Sequence, residues 1–132
     1  MYSTRSVNKL HLSRKLSDAF PAMAASASSR ENFANKCVEL IEDYGFDGID
    51  IDWEYPGYED HSGTSADKQN FNLLLTEVRS KLDLLSSTTG KTYGLTAALP
   101  CGPSHISNID VAHVSNVLSE LNLMTYDLVS YR

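Results

Sequence analysis

The sequence predicts an α/β fold built on a parallel sheet. Three helical segments alternate with three short apolar strands along the 132 residues, and this alternation is typical of βα units. The composition, 42% hydrophobic and 21% charged, is that of one globular domain rather than of a disordered chain. Because no apolar run approaches about 18 residues, the sequence predicts no transmembrane helix.

The first helix is predicted between Ser28 and Tyr44. Ser28 as the N-cap residue and Glu31 three positions later form a capping box, in which each side chain accepts a backbone N–H. The apolar side chains that follow recur at the helical period. Gly45 then stands where helices commonly end in a left-handed residue, so we expect the helix to stop there.

The remaining elements follow from the same patterns of periodicity and turn residues. In chain order they are a strand at 46–54, a helix at about 66–85, a strand at 93–99 that Pro100 stops, a helix at 109–118 and a strand at 121–126. Residues 1–19 show no recognisable element, and we expect them to be disordered. The folded domain is therefore assigned to residues 20–132.

The charge balance and the cysteine count limit the partners. The chain has 11 Lys and Arg against 17 Asp and Glu, a formal net charge of −6, whereas a nucleic-acid partner requires a basic surface. The basic, Ser-rich residues 1–17 lack the apolar core of a secretory signal. Cys37 and Cys101 allow one disulfide or two thiols, of which the thiols are favoured, and they have no metal-ligand spacing.

The informative segment is the strand at 46–54, which contains Asp50, Asp52 and Glu54. Alternate side chains of a strand share a face, so these three acids lie together while Trp53 packs on the opposite, apolar face. Neighbouring carboxyl groups cannot all ionise freely. A protonated acid beside an ionised carboxylate is what cleavage of a glycosidic bond requires. Two alternatives stay open: solvent-facing acids of an edge strand, and a metal site.

Two motifs carry a family resemblance. The run from Phe46 to Pro56 resembles the signature of family 18 glycoside hydrolases, the chitinases, which is written D-x-x-D-x-D-x-E. About seventy residues later, Met124-Thr125-Tyr126-Asp127 is similar to the M-x-Y-D motif on a later strand of that family. The segment from Tyr93 onward is most similar to fungal members.

The resemblance implies a (β/α)8 barrel with its site at the C-terminal ends of the strands. The implied reaction is hydrolysis of β-1,4-linked N-acetylglucosamine polymers by substrate-assisted retaining catalysis, with endo action. Glu54 would protonate the leaving oxygen, and Asp52 would orient the substrate acetamido group that attacks the anomeric carbon. Asp50 would share a proton with Asp52, and Tyr126 would donate to the acetamido oxygen.

The same resemblance implies the sugar contacts and the partners. Tyr55, Met124 and Asp127 would line the sugar site. No cofactor and no metal are implied, and the partner would be chitin or a chito-oligosaccharide, with no nucleic acid and no membrane. The whole protein is expected to be a secreted monomer.

The chain is short for this fold. A (β/α)8 barrel needs about 250 residues, so 132 residues correspond to about three βα units around strands 4 to 6. The Gly-Gly-containing strand expected upstream is not recognisable. Two alternatives to an active chitinase therefore remain: a non-catalytic, chitin-binding relative, against which the presence of Glu54 argues, and an inactive truncated fragment.

Overall fold

A computed structural model describes residues 8–12 and 18–126. In these ranges the chain forms a parallel sheet whose strands lie side by side in chain order. Helices connect each strand to the next, which is the connectivity that the sequence predicts. The elements are β1 Lys9–Leu12, α1 Phe20–Ala25, α2 Ala27–Tyr44, β2 Gly48–Ile51, a 3-10 turn Glu59–His61, α3 Asp67–Thr89, β3 Gly94–Pro100, α4 Pro103–Ile106, α5 Val111–Val117 and β4 Glu120–Met124.

The two faces of the sheet differ in chemistry. On β2 and β3, side chains on one face are apolar and buried against the helices, and those on the other face are mainly polar, whereas Leu121 and Leu123 of the edge strand β4 are exposed. This follows from the period-2 alternation of side chains along a strand. The largest fully buried side chains are Trp53, Phe20, Ile49, Ile51, Leu74, Leu75, Leu82, Leu95, Val78, Val114, Thr96 and Asp67.

Strand β1 corrects the prediction for residues 1–19. Lys9–Leu12 pairs in parallel with Gly48–Ile51, so part of the segment expected to be disordered belongs to the sheet. Four residues without flanking turn signals are too few to be recognised by periodicity, and their strand conformation depends on pairing with β2. Residues 1–7 and 13–17 lie outside the described part of the chain.

Strand β2 is shorter than predicted, ending at Ile51 rather than at Glu54. The backbone N–H of Asp52 still donates to the Leu12 carbonyl oxygen at 3.1 Å, after which the chain leaves the sheet. Trp53 packs as predicted. It is 2% exposed, stacks on Phe20 with ring centroids 5.4 Å apart, and meets the ring of Phe71 edge-on.

The start of α2 was predicted wrongly and its end correctly. The N-cap residue is Ser26, whose Oγ accepts the Ser29 N–H at 3.1 Å. Because α1 already ends at Ala25, the chain turns at Ser26, and Ser28 lies inside the first turn. Gly45 ends the helix in the left-handed conformation, with φ of 70°, as the sequence predicts.

The later elements agree with the predicted ones to within a few residues. Helix α3 continues four residues beyond the predicted end at Leu85 and stops at Gly90, which has φ of 70°. The short helices α1 and α4 were not predicted. None of the helices in the described ranges has the length and apolar character needed to cross a membrane.

Both cysteines are free thiols, the state that the sequence favours. Cys37 lies on the buried face of α2, and burial raises the pKa of its thiol to about 12, because a thiolate is poorly solvated there. Cys37 is therefore a protonated packing residue throughout the neutral pH range.

The close approach of the Gly48 and Gly94 backbones in neighbouring strands gives a prediction about stability. A Cβ at Gly48 would overlap the carbonyl oxygen of Gly94 on β3, and neither backbone can move without breaking the ladder. We expect Gly48→Ala to lower the free energy of unfolding by about 1–3 kcal/mol, measured by urea denaturation. Gly102→Ala is the matched control, since open space surrounds Gly102 and its φ is −69°. A change within about 0.5 kcal/mol is expected for it, and equal effects would contradict the packing argument.

Candidate active site

Asp50 lies at the centre of the polar face of the sheet. Its Oδ1 accepts hydrogen bonds from Thr96 Oγ1 on β3 at 2.6 Å and from Asn122 Nδ2 on β4 at 3.1 Å. Its Oδ2 lies 2.7 Å from His11 Nδ1 on β1. The strand register places Asp50 opposite both His11 and Thr96. One carboxylate thus contacts a side chain of each of the other described strands.

Asp52 lies two residues further along the same face, as the alternation predicts. It is 8% exposed, and its Oδ2 lies 3.4 Å from His11 Nε2. The imidazole of His11 therefore stands between the two aspartates, with one ring nitrogen towards each. The structure brings together two of the carboxylates that the sequence assigned to catalysis and adds a basic group to them.

Glu54 lies just past the end of β2 and is half-buried. Its backbone carbonyl oxygen accepts a hydrogen bond from His61 Nδ1 at 2.8 Å. The ring of the next residue, Tyr55, stacks on His105 with centroids 4.2 Å apart, and Tyr58 meets both rings edge-on. The loop after β2 thus packs against the segment after β3, at the C-terminal edge of the sheet.

A buried carboxylate at the start of α3 accepts hydrogen bonds from the backbone of this loop. Asp67, at the start of α3, is 1% exposed. Its Oδ2 accepts the backbone N–H groups of Gly57 at 2.9 Å and Thr64 at 3.0 Å. A buried acceptor with two backbone donors restricts the loop strongly. The position of Glu54 is therefore set by the sheet before it and by α3 after it.

The second motif lies at the end of β4. Met124 pairs with Pro100 of β3 and is half-buried, and Tyr126 follows two residues later with 66% of its surface exposed. Asp127 lies outside the described residues. Glu54, Tyr55, Met124 and Tyr126 thus occur at the C-terminal ends of strands, the edge where (β/α)8 enzymes carry their sites. Their contacts with a sugar stay predictions.

Three polar partners of the aspartates were not found from the sequence. His11 falls in the segment to which no element was assigned, although the alternation in Lys9–Leu12 is a weak strand signal. Thr96 and Asn122 lie in predicted strands, and their alternation places them on the polar face. Only the pairing of distant strands shows that all three contact Asp50.

The polar face opens into a cleft of about 640 Å³. Besides His11 and Asp50, its charged lining residues are Lys9, Asp47 and Glu120. Lys9 Nζ pairs with Glu120 at 3.3 Å, and Asp47 accepts the Asn8 backbone N–H at 3.1 Å. Across residues 8–12 and 18–126, no three His, Cys, Asp or Glu side chains come together with metal-binding geometry.

Comparisons with known proteins agree with both motifs. The family model of the glycosyl hydrolases family 18 matches residues 8–132. The chain is 41% identical over 114 residues to Chitinase A1 of Niallia circulans and 44% identical over 110 residues to Chitinase 1 of Aphanocladium album. Among solved structures, Chitinase ChiA74 from Bacillus thuringiensis superposes with a TM-score of 0.82 at 41% identity.

The matches cover most of this chain but a minor part of each relative. They include 84% and 82% of the chain, yet only 16% of Chitinase A1 and 25% of Chitinase 1. The structural match covers 84% of this chain and 18% of the other. The relatives come from bacteria and fungi alike, so they support the family without distinguishing the fungal type that the sequence indicates. The match from residue 8 also includes β1 in the family domain.

Proposed function

The chain belongs to glycosyl hydrolase family 18, and from that membership we propose that the protein hydrolyses chitin, the β-1,4-linked polymer of N-acetylglucosamine. The sheet and its connecting helices are then part of a (β/α)8 barrel. The observation that carries the proposal is the row Asp50, Asp52 and Glu54, which leads along one strand to the edge where substrate would bind.

In the proposed mechanism, the carboxyl group of Glu54 gives its proton to the glycosidic oxygen that leaves. The oxygen of the substrate's own acetamido group attacks the anomeric carbon, so no enzyme side chain forms a bond to the sugar. Asp52 holds the acetamido N–H and aligns it for this attack. Tyr126 donates a hydrogen bond to the acetamido oxygen and so helps to hold it in line with the anomeric carbon. Glu54 then accepts a proton from the water that completes hydrolysis.

Several contacts support these assignments without testing them. Asp52 is nearly buried, which strengthens its interaction with a polar group of the substrate. The loop that carries Glu54 is held by His61 and Asp67, and a general acid must be fixed in position to be effective. Tyr55, Met124 and Asp127 are proposed to contact the sugar. Endo action, secretion and a monomeric whole protein complete the proposal.

A chitin-binding protein without hydrolytic activity is the second candidate. It would use the same edge of the sheet to hold the polymer and would not need a proton donor. The retention of Glu54 favours the enzyme over this candidate. Binding without release of reducing ends would favour the binding protein.

The role of Glu54 can be tested in a complete barrel that carries this segment, obtained by grafting residues 8–126 into Chitinase A1. We call this protein the grafted enzyme. Glu54→Gln should lower the hydrolysis of chito-oligosaccharides by about 10²–10⁴-fold, because a positioned general acid supplies about that factor. Glu42→Gln on the exposed face of α2 is the matched control and should retain full activity. Turnover near that of the parent in Glu54→Gln would remove Glu54 from its role.

The acetamido mechanism predicts a strict substrate requirement. Cello-oligosaccharides lack the acetamido group, so the grafted enzyme should not cleave them. Asp52→Asn and Tyr126→Phe should each lower kcat, and the double variant should lose less than the product of the two factors, because both residues act on one group. Steady-state kinetics on both substrates give the measurement. Equal cleavage of cellulose oligomers would overturn substrate assistance.

The isolated chain is expected to have no chitinase activity. Glu54 lies just past the end of β2, and a (β/α)8 site is built from loops of many strands, whereas the described residues include four strands. A fluorogenic chito-oligosaccharide incubated with purified residues 1–132 should therefore release no product above background. Turnover by the purified chain would show that the described strands are sufficient.

A further inference from the structure

We propose that His61 is a positioning residue for Glu54: its imidazole holds the backbone of the general acid and so limits the direction of the carboxyl group. The proposal rests on the proposed chitinase function and deepens it, because His61 lies outside both sequence motifs. The observation that carries it is the hydrogen bond from His61 Nδ1 to the backbone carbonyl oxygen of Glu54, at 2.8 Å.

The chemistry of this hydrogen bond fixes its direction. A carbonyl oxygen can only accept, so Nδ1 of His61 carries the hydrogen and donates it. In a neutral imidazole, a hydrogen at Nδ1 leaves Nε2 without one, so the contact with Glu54 selects one tautomer of the ring. The bond is partly buried, which strengthens it relative to a bond in water. The ring is therefore held in one orientation against the Glu54 backbone.

The loop between β2 and α3 fixes the imidazole independently of Glu54. The backbone N–H groups of His61 and Gly63 both donate to the Tyr58 carbonyl oxygen, at 3.0 and 2.9 Å. The rings of Tyr58 and His61 meet edge-on with centroids 5.1 Å apart, and a Cβ at Gly63 would overlap the Tyr58 backbone. Asp67 adds the two hydrogen bonds that hold the ends of the loop. The donor is thus part of a closely packed turn.

The peptide that joins Glu54 to Tyr55 is restrained from two sides. Its oxygen accepts from His61 in the loop after β2, and the ring of Tyr55 stacks on His105 in the segment after β3. Because the side-chain torsions of Glu54 start from this backbone, the restraint limits where the carboxyl group can lie. A displacement of about 1 Å at a reacting group can cost about 10²-fold in rate. Loss of the His61 hydrogen bond should therefore impair proton donation.

The size of this effect should depend on the leaving group of the substrate. The sugar oxygen that departs from a chito-oligosaccharide is strongly basic and needs a proton from Glu54, whereas a dinitrophenolate is weakly basic and departs without one. A residue that acts by positioning Glu54 should matter for the first substrate and not for the second. A residue that only maintains the fold should affect both substrates alike.

The kinetic test measures kcat/KM in the grafted enzyme, because this ratio covers the steps up to loss of the leaving group. His61→Phe keeps a ring against Tyr58 but has no N–H. It should lower kcat/KM for a chito-oligosaccharide by about 10-fold or more, mainly through kcat, and change that for a dinitrophenyl chito-oligosaccharide by less than about 2-fold. His61→Asn, whose side-chain N–H can lie near the position of Nδ1, should recover most of the loss.

A matched control and a double variant define the outcomes. His113→Phe removes another histidine hydrogen bond, that with Thr76 Oγ1, and should leave both substrates unaffected. In Glu54→Gln, the further change His61→Phe should have no effect on the chito-oligosaccharide, because both changes act on one proton transfer. Equal losses on both substrates overturn the proposal, and so does a higher KM for the chito-oligosaccharide at unchanged kcat.

A second measurement is independent of chitin hydrolysis. In residues 1–132, the ¹⁵N chemical shifts of the neutral His61 ring should show the hydrogen at Nδ1. A hydrogen at Nε2, or a mixture of the two tautomers, overturns the contact with Glu54. If the grafted enzyme cleaves neither substrate, the proposed function fails, and the ring measurement still decides whether His61 donates to Glu54.

Discussion

The carboxylate of Asp50 is the contact on which the polar face of the sheet depends. Within the described residues it joins β2 to His11 of β1, Thr96 of β3 and Asn122 of β4. A slip of one residue in any of these pairings would turn that side chain to the apolar face. The hydrogen bonds of Asp50 thus stabilise the same register that places Asp52 beside His11, so the position of Asp52 and the pairing of the strands have one cause.

The two faces of the sheet have different roles: the apolar face packs in the core, and the polar face carries the acidic side chains. Trp53 lies between Asp52 and Glu54 in the sequence, yet its ring packs on Phe20 and Phe71 in the core. Because side chains alternate along the strand, Ile49, Ile51 and Trp53 pack in the core while Asp50 and Asp52 between them face the opposite side. Beyond the end of β2, the loop is fixed by Asp67 of α3, which accepts two of its backbone N–H groups. The site is supported by apolar packing along the strand and by polar contacts in the loop.

Sequence patterns correctly predicted the features that depend on interactions between residues close together in the chain. The alternation at 46–54 correctly placed Asp50 and Asp52 on one face and Trp53 on the other, and Gly45 marked the end of α2. Ser26 and Ser28 are equivalent by local chemistry, and only the end of α1 at Ala25 decides between them. Strand β1 and the contact of His11 depend on pairing across 39 residues. The four residues of β1 alone therefore do not predict its pairing with β2.

The contacts of Asp50 also separate the support of the sheet from the residues nearer its edge. Thr96 and Asn122 donate to one oxygen of Asp50, and His11 Nδ1 lies 2.7 Å from the other, so both oxygens are engaged by side chains of neighbouring strands. Asp52 and Glu54 lie further along the chain and take no part in these hydrogen bonds. The contacts that stabilise the strand pairing are therefore distinct from the side chains nearest the C-terminal edge of the sheet, where the proposed function places the reaction.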